Sequence, residues 1–345
     1  MTILYLYSEL MGYQLPVFRE YVAGYNAKVH VVHWDHKKVS QYVPTSIEGV
    51  SYYKRSEYDK KALSALAEEL KPDIVYVSGW MDKDYLQICH ALKKKGIPIV
   101  AGCDAQWSGN LRQRLGRVYF KWFLKKNFDY LWIAGDYQYE YASKLGFQKS
   151  EILFNCYSAD VDLFHRENII KKLHYPHNFL FVGRFEKVKG LEMLLATWDT
   201  LQKRDWTLTF IGNGSLKEEL EKRSNIIVKD FMQPEPLSHE IDKAGCFVLP
   251  SLYEPWALVI HEFAAGGVPI IASDVCGAAP LFITPNYNGF IFKSGDKEDL
   301  ANKMERIMDM TDEQLLAFSD NSLLKSRSIN PQITAATFTS VISVK

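Results

Sequence analysis

Short runs of apolar, strand-favouring residues recur along the whole chain, and segments with helical periodicity separate several of them. Lys61–Leu70 is one such segment, because its apolar side chains repeat at the spacing of one helix face. Continuous apolar strands that alternate with amphipathic helices are typical of parallel sheets covered on both faces. The predicted strands are Ile3–Tyr7, Val29–Trp34, Ile74–Val77, Ile97–Ala101, Tyr130–Ala134, Ile152–Phe154, Phe179–Val182, Thr207–Ile211, Ile226–Val228, Cys246–Leu249, Ile270–Ala272 and Gly289–Phe292.

The polar segment Phe164–Asn178 interrupts this alternation, which resumes after it. A chain of 345 residues also exceeds the usual size of a single hydrophobic core. We therefore expect an α/β protein with two Rossmann-like domains, residues 1–165 and 166–325. A helical tail, residues 326–345, is expected to pack back on the first domain. Ligands of such sheets bind beyond the carboxyl ends of the strands, so the active site is expected in a cleft between two facing domains.

The overall charge argues against nucleic acid as a partner, because 41 basic residues balance 41 acidic ones. The five cysteines are scattered without metal-binding spacing, which indicates small buried residues in a reducing compartment. The first residues, MTILYLYSEL, are typical of a strand and a loop rather than a signal peptide, and no apolar run reaches membrane-spanning length. We expect a cytoplasmic location, with peripheral contact to the inner face of the cell membrane as an open alternative.

The segment Pro250–Gly267, PSLYEPWALVIHEFAAGG, follows an apolar strand and carries Glu254 in a tight loop and Glu262 in the next helix. A strand, a sharp turn and a helix N-terminus form an anion site, because the N–H groups of the first helical turn have no intrahelical partner. A carboxylate one or two turns into that helix can accept hydrogen bonds from ribose hydroxyls. The segment therefore predicts a binding site for a nucleoside diphosphate.

The segment FVGRFEKVKG, residues 181–190, places two cations in the loop after another strand. The planar guanidinium of Arg184 and the mobile ammonium of Lys189 can hold two phosphates from one side and neutralise a departing diphosphate. Two solvated surface cations are the alternative interpretation for such a pair in isolation. Their position after the first strand of a domain favours phosphate binding.

Two further loops carry weaker signals for the same nucleotide. Gly212 and Gly214 in FIGNGSL permit close backbone approach at a strand end, although a plain tight turn explains them equally well. Phe231 and Met232 follow the next predicted strand, where they can line a base pocket or pack in the core.

In this order, the motifs GRFEKVKG, GNG, LPSLYEPWALVIHEFAAGGVPIIASD and NYNGFIF make the second domain resemble the retaining glycosyltransferases of family 4. This GT-B-fold group includes glycogen synthases and many bacterial polysaccharide-type glycosyltransferases. The resemblance covers roughly residues 150–310, whereas the first domain is similar in architecture alone. It implies that Arg184 and Lys189 hold the donor diphosphate and that Glu254 faces the donor sugar.

The resemblance also assigns roles around the helix that follows Glu254. It implies that the backbone at Leu258 and Val259 meets phosphate and that Glu262 binds ribose. Ala257 stands where the family usually has glycine, so we expect a slightly tighter loop beside the phosphate.

In the first domain, the histidine common in the family is replaced within AGCDAQWSG, where Cys103 or Asp104 stands. Asp104 at a strand end can orient an acceptor hydroxyl or bond the donor sugar, or it can cap a helix or a turn. Gly12 is the single glycine of the loop after the first strand, which excludes a nicotinamide-binding GxGxxG fingerprint. In the family this loop approaches the donor or the acceptor, so Gly12 is a candidate binding residue. Trp80 and Trp107 can stack on a sugar ring or pack in the core.

The segment Asn110–Asn127, NLRQRLGRVYFKWFLKKN, holds six basic residues and no acidic one. As a helix, it has one apolar stripe flanked by cations, which suits an anionic bilayer or a phosphorylated lipid acceptor. The alternative is a helix whose stripe packs in the core while its basic face is solvated. The stripe consists of Leu111, Leu115, Val118 and Trp122, and the flank of Arg114, Arg117, Lys121 and Lys125.

The sequence predicts no metal site. His261 precedes Glu262 but has no second histidine one turn later, and Asp82-Lys83-Asp84 opens a helix, where acidic residues cap. Three further histidines lie in or just after a strand and are not expected to bind metal: His30, His33 and His36.

Together, these features predict a glycosyltransferase that moves a sugar from a UDP-, GDP- or ADP-sugar to a hydroxyl of a glycan or lipid-linked acceptor. The family resemblance implies retention of the anomeric configuration, and the cation pair favours catalysis without a metal or cofactor. A nucleotide-sugar epimerase of the same fold and a non-catalytic nucleotide-sugar-binding subunit remain alternatives. The epimerase would consume the donor without an acceptor, and the subunit would bind it without turnover.

Overall fold

A computed structural model divides the chain into two units, each built around one parallel sheet. The first unit consists of Met1–Ser158 and Pro331–Lys345, and the second of Ala159–Asn330. His36 and residues 166–172 of the predicted linker lie outside the described residues. The structure describes residues 1–8, 10–35, 45–165, 173–202 and 205–343.

The first unit is built from alternating strands and helices. Its elements before the second unit are β1 (Thr2–Tyr7), α1 (Gln14–Tyr25), β2 (Lys28–His33), β3 (Val50–Lys54), α2 (Lys60–Leu70), β4 (Ile74–Val77), α3 (Lys83–Lys94), β5 (Ile99–Cys103), α4 (Leu111–Tyr119), β6 (Tyr130–Ile133), α5 (Asp136–Lys144) and β7 (Ile152–Leu153). The strands form one sheet in the order β3-β2-β1-β4-β5-β6-β7, and each pair is parallel. The central strands are buried almost throughout, as expected for a parallel sheet with covered faces.

The second unit has the same architecture. Its elements are α6 (Val161–Phe164), β8 (Asn178–Val182), α7 (Leu191–Thr200), β9 (Thr207–Ile211), α8 (Lys217–Glu221), β10 (Ile227–Lys229), α9 (Pro234–Ile241), β11 (Cys246–Leu249), α10 (Leu258–Ala265), β12 (Ile270–Ser273), α11 (Ala279–Phe282), β13 (Gly289–Phe292), α12 (Lys297–Met308) and α13 (Asp312–Ser326). The sheet has six parallel strands in the order β10-β9-β8-β11-β12-β13.

The last helix, α14 (Pro331–Ser343), belongs to the first unit. The ring of Phe338 lies 5.2 Å from that of Trp132 and 5.7 Å from that of Tyr5, measured between centroids. Gln332 Nε2 donates a hydrogen bond to Glu20 Oε1 at 2.8 Å. This helix therefore completes an aromatic core whose other members lie on the sheet of the first unit.

The two parallel sheets confirm the predicted fold class of two Rossmann-like α/β domains with a helical C-terminal end. One strand, β3, is absent from the prediction. It lies at the sheet edge, where its residues are exposed or half-buried, and its sequence VSYYK has no continuous apolar run. Within the described part of the chain, no helix has both the length and the apolar character that crossing a membrane requires.

The five cysteines are buried as free thiols, which confirms the expectation of small core residues. Burial raises the pKa of the Cys103 and Cys276 thiols to about 12. Because the thiolate is the reactive form, both side chains are unreactive at neutral pH.

The segment around α4 contradicts the alternative in which its apolar stripe packs in the core. The helix ends at Tyr119 and continues as a π-helical turn over Phe120–Leu124 rather than as one regular helix to Asn127. Phe120 is 2% exposed and packs against Trp80, with ring centroids 4.6 Å apart. Since Phe120 lies opposite the stripe, its burial turns the stripe outward. The stripe residues, 51–74% exposed, are Leu111, Leu115, Val118 and Trp122.

Candidate active site

The strand order of the second sheet reverses between two neighbouring strands, β8 and β11. From β8 the order runs backward through β9 to β10 on one side and forward from β11 on the other. Ligands of open α/β sheets bind at such a switch point, beyond the carboxyl ends of the strands. The loop after β8 carries Arg184 and Lys189, and the loop after β11 carries Glu254. The two strongest sequence motifs therefore occupy the two loops at the switch point.

A glycine allows these two loops to touch. Gly190 has a φ of +71°, and a Cβ at this position would lie 2.0 Å from the carbonyl oxygen of Pro250. A larger residue would therefore force the loops apart as well as strain the backbone. The N–H of Leu252 donates to the carbonyl oxygen of Val188 at 2.8 Å, which ties the loops together directly.

The ammonium of Lys189 forms an ion pair with Oε2 of Glu254. Their side chains are only 15% and 12% exposed, so solvent screens the pair weakly. Ser251 Oγ donates to the same carboxylate oxygen at 3.2 Å, and Ser273 Oγ donates to the Ser251 carbonyl oxygen at 2.6 Å. Sequence reasoning missed both serines, although Ser251 stands only three residues before Glu254. The structure thus brings together two predicted site residues, and the hydrogen bonds of the two serines support the carboxylate of the pair.

Arg184, the other predicted cation, has an exposed side chain. Hydrogen bonds from Ser215 lower the pKa of Glu186, and the positive charge of Arg184 contributes to the same shift. Within the ranges that the structure describes, Arg184 forms no ion pair. One cation of the predicted pair is therefore held by a carboxylate, and the other remains available to an anionic ligand.

The helix α10 begins next to this ion pair. Ala257, the residue before it, has a φ of +77° and a ψ of +69°, a left-handed conformation that strains a residue with a Cβ by about 1 kcal/mol. The N–H of Ala278 donates to the carbonyl oxygen of Trp256 at 2.8 Å and holds the turn in place. Leu258 and Val259 form the first helical turn, whose N–H groups are those that a helix N-terminus offers to an anion.

Glu262 lies one turn further along α10 and is half-buried. Burial raises the pKa of its carboxyl group to about 7. Among the residues that the structure describes, its carboxyl group has no hydrogen-bond partner. A ligand that supplies hydroxyl donors would stabilise the carboxylate form and recover the cost of its desolvation.

The two motifs that resemble metal sites have structural roles. His261 is fully buried, with Nδ1 accepting from the N–H of Ala159 at 3.1 Å and Nε2 donating to the carbonyl oxygen of Ser326 at 2.9 Å. Burial lowers the pKa of His261 to about 4, so the ring is neutral. Asp82 caps α3 by accepting hydrogen bonds from two N–H groups of its first turn. Among the described residues, no three His, Cys, Asp or Glu side chains form a cluster that could hold a metal ion.

The glycines of the GNG motif serve close packing of two loops. A Cβ at Gly212 or Gly214 would lie 1.9 Å or 2.6 Å from a backbone oxygen of the loop after β8. This close contact accounts for both glycines without a ligand. It also places the loop after β9 beside the loop after β8, which carries Arg184 and Lys189. Phe231 is 45% exposed, which contradicts a core role for it, and Met232 is half-buried.

In the first unit, Asp104 directly follows β5 and is exposed. It does not cap α4, because that helix begins after Asn110, whose side chain caps it. Burial raises the pKa of Tyr13 to about 12, and the negative charge of Asp104 adds to this effect. The rings of Tyr13 and Tyr157 meet edge to face at 5.2 Å. The structure thus places Asp104 near two tyrosines that carry no recognisable sequence signal, and Gly12 directly precedes the first of them.

The two tryptophans proposed as a sugar platform are engaged by the chain itself. Trp80 contacts Phe120, as described above. Trp107 stacks on Tyr141 at 5.9 Å, while the guanidinium of Arg117 and the ammonium of Lys144 lie 5.8 and 5.0 Å from its ring centroid. Both therefore fit the packing interpretation.

Sequence comparison finds a family model that matches a region within the second unit. Residues 166–323 match the family model described as glycosyl transferases group 1. An uncharacterized 41.2 kDa protein in the cps region of Klebsiella pneumoniae is 27% identical over 232 residues, which is 63% of this chain and 63% of that protein. The alignment with this relative therefore leaves more than a third of its length unmatched.

Structural comparison covers the whole chain. Sucrose-phosphate synthase from Thermosynechococcus elongatus has a TM-score of 0.77 at 16% identity, over 100% of this chain and 99% of that one. The Anabaena protein HepE, solved in complex with UDP-glucose, has a TM-score of 0.74 at 15% identity, over 100% of both chains. Residues 166–323 thus match the model of group 1 glycosyl transferases, and the chain as a whole has the GT-B fold of the solved structures.

Proposed function

We propose that this protein transfers a sugar from a nucleoside diphosphate sugar to a hydroxyl group of a glycan or lipid-linked acceptor. In this proposal the anomeric configuration is retained, and neither a metal nor a cofactor takes part. The observation that carries the proposal is the ion pair of Lys189 with Glu254 at the switch point, beside the N-terminus of α10. An oriented cation, a carboxylate and a helix N-terminus suit a ligand that combines phosphates with sugar hydroxyls.

The proposed reaction separates charge, which these residues can stabilise. The bond between the anomeric carbon and the diphosphate oxygen breaks, and the acceptor oxygen bonds to that carbon on the same face. The acceptor proton goes to the departing diphosphate oxygen. Lys189, Arg184 and the backbone N–H groups at Leu258 and Val259 stabilise the negative charge on the leaving group. Glu254 faces the donor sugar while it keeps Lys189 in place.

The remaining candidates surround the nucleoside and the acceptor. We propose that the Glu262 carboxylate accepts hydrogen bonds from ribose hydroxyls and that Phe231 and Met232 line the base pocket. Asp104 is proposed to orient the acceptor hydroxyl or bond the donor sugar, with Gly12 in the adjoining loop. The structural similarity to HepE, which was solved with UDP-glucose, supports a UDP-sugar as the first donor to test.

The first experiment measures the thermal stability of the protein against UDP, GDP, ADP, CMP and NAD without added metal. Selective stabilisation by one nucleoside diphosphate is expected, because a ligand that binds the native state alone raises the melting temperature. Stabilisation by NAD alone would contradict the proposal. The matching sugar nucleotide is then the donor for turnover assays.

The second experiment compares Arg184→Ala with Lys187→Ala, an exposed cation in the same loop. Loss of transition-state charge stabilisation predicts a drop in turnover of about a hundredfold or more for Arg184→Ala and little change for the control. Equal activity of both variants would refute the role of Arg184. Donor consumption without an acceptor would instead indicate an epimerase, and binding without any turnover would indicate a non-catalytic subunit.

A further inference from the structure

The segment from α4 through its π-helical turn presents an unusually apolar surface, which we call the α4 face. Of the 19 exposed large hydrophobic residues among those described, six lie within these few turns. Single exposed apolar residues are normal on protein surfaces, but a contiguous group indicates an interaction site. The members of the α4 face are Leu111, Leu115, Val118, Tyr119, Trp122 and Phe123.

Cations surround the α4 face, and no acidic residue interrupts them in the segment 110–127. Two of the six basic residues in this segment contact other parts of the chain: Arg117 lies over the ring of Trp107, and Lys125 pairs with Glu151 at 3.0 Å. The four that are exposed and form no ion pair with any residue that the structure describes are Arg112, Arg114, Lys121 and Lys126.

The orientation of the α4 face is fixed by packing on the other side of the helix. Phe120 is buried against Trp80, Phe128 and Phe147, with ring centroids between 4.6 and 6.0 Å apart. The helix therefore cannot rotate to bury its stripe without removing Phe120 from the core. The apolar face is a stable property of the folded first unit.

We infer that the α4 face docks this protein on the surface of an anionic lipid bilayer. An aliphatic and aromatic face flanked by cations lies in the headgroup region, where the apolar side chains leave water and the cations meet lipid phosphates. Tyr and Trp are the aromatic residues favoured at that depth. The surplus of positive charge selects an anionic surface over a neutral one. This inference goes beyond the proposed sugar transfer and does not rest on it.

The test measures co-sedimentation of the full chain with vesicles of phosphatidylcholine, alone or with about 30 mol% phosphatidylglycerol. We expect binding to the anionic vesicles and a loss of about tenfold or more in Leu115→Ser/Trp122→Ser, because burial of two large side chains drives the insertion. Leu324→Ser is the matched control, since Leu324 is 57% exposed on α13, and it should bind like the wild type.

The charge contribution is tested separately with Arg114→Ala/Lys121→Ala. About thirtyfold weaker binding is expected, since each cation near an anionic surface raises the binding affinity by roughly tenfold or less. Added salt should reduce this contribution. Lys60→Ala/Lys61→Ala, which removes two exposed cations from α2, should change binding little. If the apolar double variant fails to fold, as judged by circular dichroism, this pair of variants decides the question.

Two kinds of outcome would overturn the inference. One is equal binding of the wild type to neutral and anionic vesicles, or no binding to either. The other is a wild-type dimer in light scattering that the α4-face variants convert to a monomer, without any vesicle binding. That result would assign the face to contact between copies of the chain.

Discussion

Lys189 and Glu254 stand 65 positions apart in the chain, yet the ammonium of one pairs with the carboxylate of the other where the strand order of the second sheet reverses. Each side chain fixes the other. The glutamate holds the cation in place before a ligand arrives, and the lysine offsets the desolvation of a carboxylate that is only 12% exposed. The pair therefore has a structural part and a proposed catalytic part, which substitutions can separate.

Lys189→Met should destabilise the fold by about 2–4 kcal/mol, because it leaves the Glu254 carboxylate buried without its counterion. The double variant Lys189→Met/Glu254→Gln should recover most of this loss but remain without turnover. Urea unfolding and a donor-turnover assay measure the two effects independently. Lys95→Met, which breaks an exposed ion pair with Glu68, should cost less than about 1 kcal/mol. A Lys189→Met variant as stable as the wild type would show that the pair is not structural.

Glu262 makes stability depend on pH in an unusual direction. Its pKa is raised by burial from 4.5 to about 7, so the folded state keeps a proton that the unfolded state releases between these values. Stability therefore falls as pH rises through this window, by an amount on the order of 1–3 kcal/mol. Glu262→Gln should abolish that fall in urea unfolding between the two ends of the window. The exposed Glu298→Gln should leave it intact. Parallel curves for the wild type and Glu262→Gln would contradict the assignment.

His261 has the opposite effect. Its pKa is lowered from 6.5 to about 4. Between these two pH values the unfolded state binds a proton and the folded state does not. Stability is therefore lost as pH falls through that window, by roughly 3 kcal/mol. His261→Gln should be less stable at every pH, because both hydrogen bonds are disturbed, but its stability should change less across the window. His165→Gln, at an exposed position, serves as the control. An unchanged pH dependence in His261→Gln would count against a buried neutral ring.

Ala257 stands in a left-handed conformation that glycine adopts without strain. Ala257→Gly should therefore be neutral or stabilising by up to about 1 kcal/mol, whereas Ala257→Val should cost about 1–2 kcal/mol. The comparison is Ala264→Gly in α10, the helix that follows Ala257; it removes a buried methyl group from a regular helical position and should cost about 1 kcal/mol or more. Chemical denaturation of the three variants checks the order. A destabilised Ala257→Gly would show that the alanine methyl packs better than its backbone conformation suggests.

The sequence predicted most of the strands, because strands such as β1 and β11 are continuous apolar runs, which are typical of a covered parallel sheet. It missed β3, whose edge position leaves polar and aromatic residues half-exposed. Both members of the ion pair, Lys189 and Glu254, were predicted to be site residues. Their contact was beyond prediction, since it depends on which strands become neighbours in space.

The orientation of α4 shows a different limit of sequence analysis. Apolar residues lie on both sides of this helix, with Leu115 and Trp122 on one and Phe120 on the other. Periodicity alone cannot decide which side enters the core, and the π-helical turn changes the register within the segment. The decision comes from the aromatic partners of Phe120, which other parts of the chain supply.

The return of the chain to the first unit has a consequence for synthesis on the ribosome. Every residue of the second unit is made before Phe338, whose ring completes the aromatic core around Tyr5 and Trp132. A nascent chain can therefore finish its second unit while the earlier one still exposes apolar rings. The first unit is therefore translated first but completed last, when α14 packs against it.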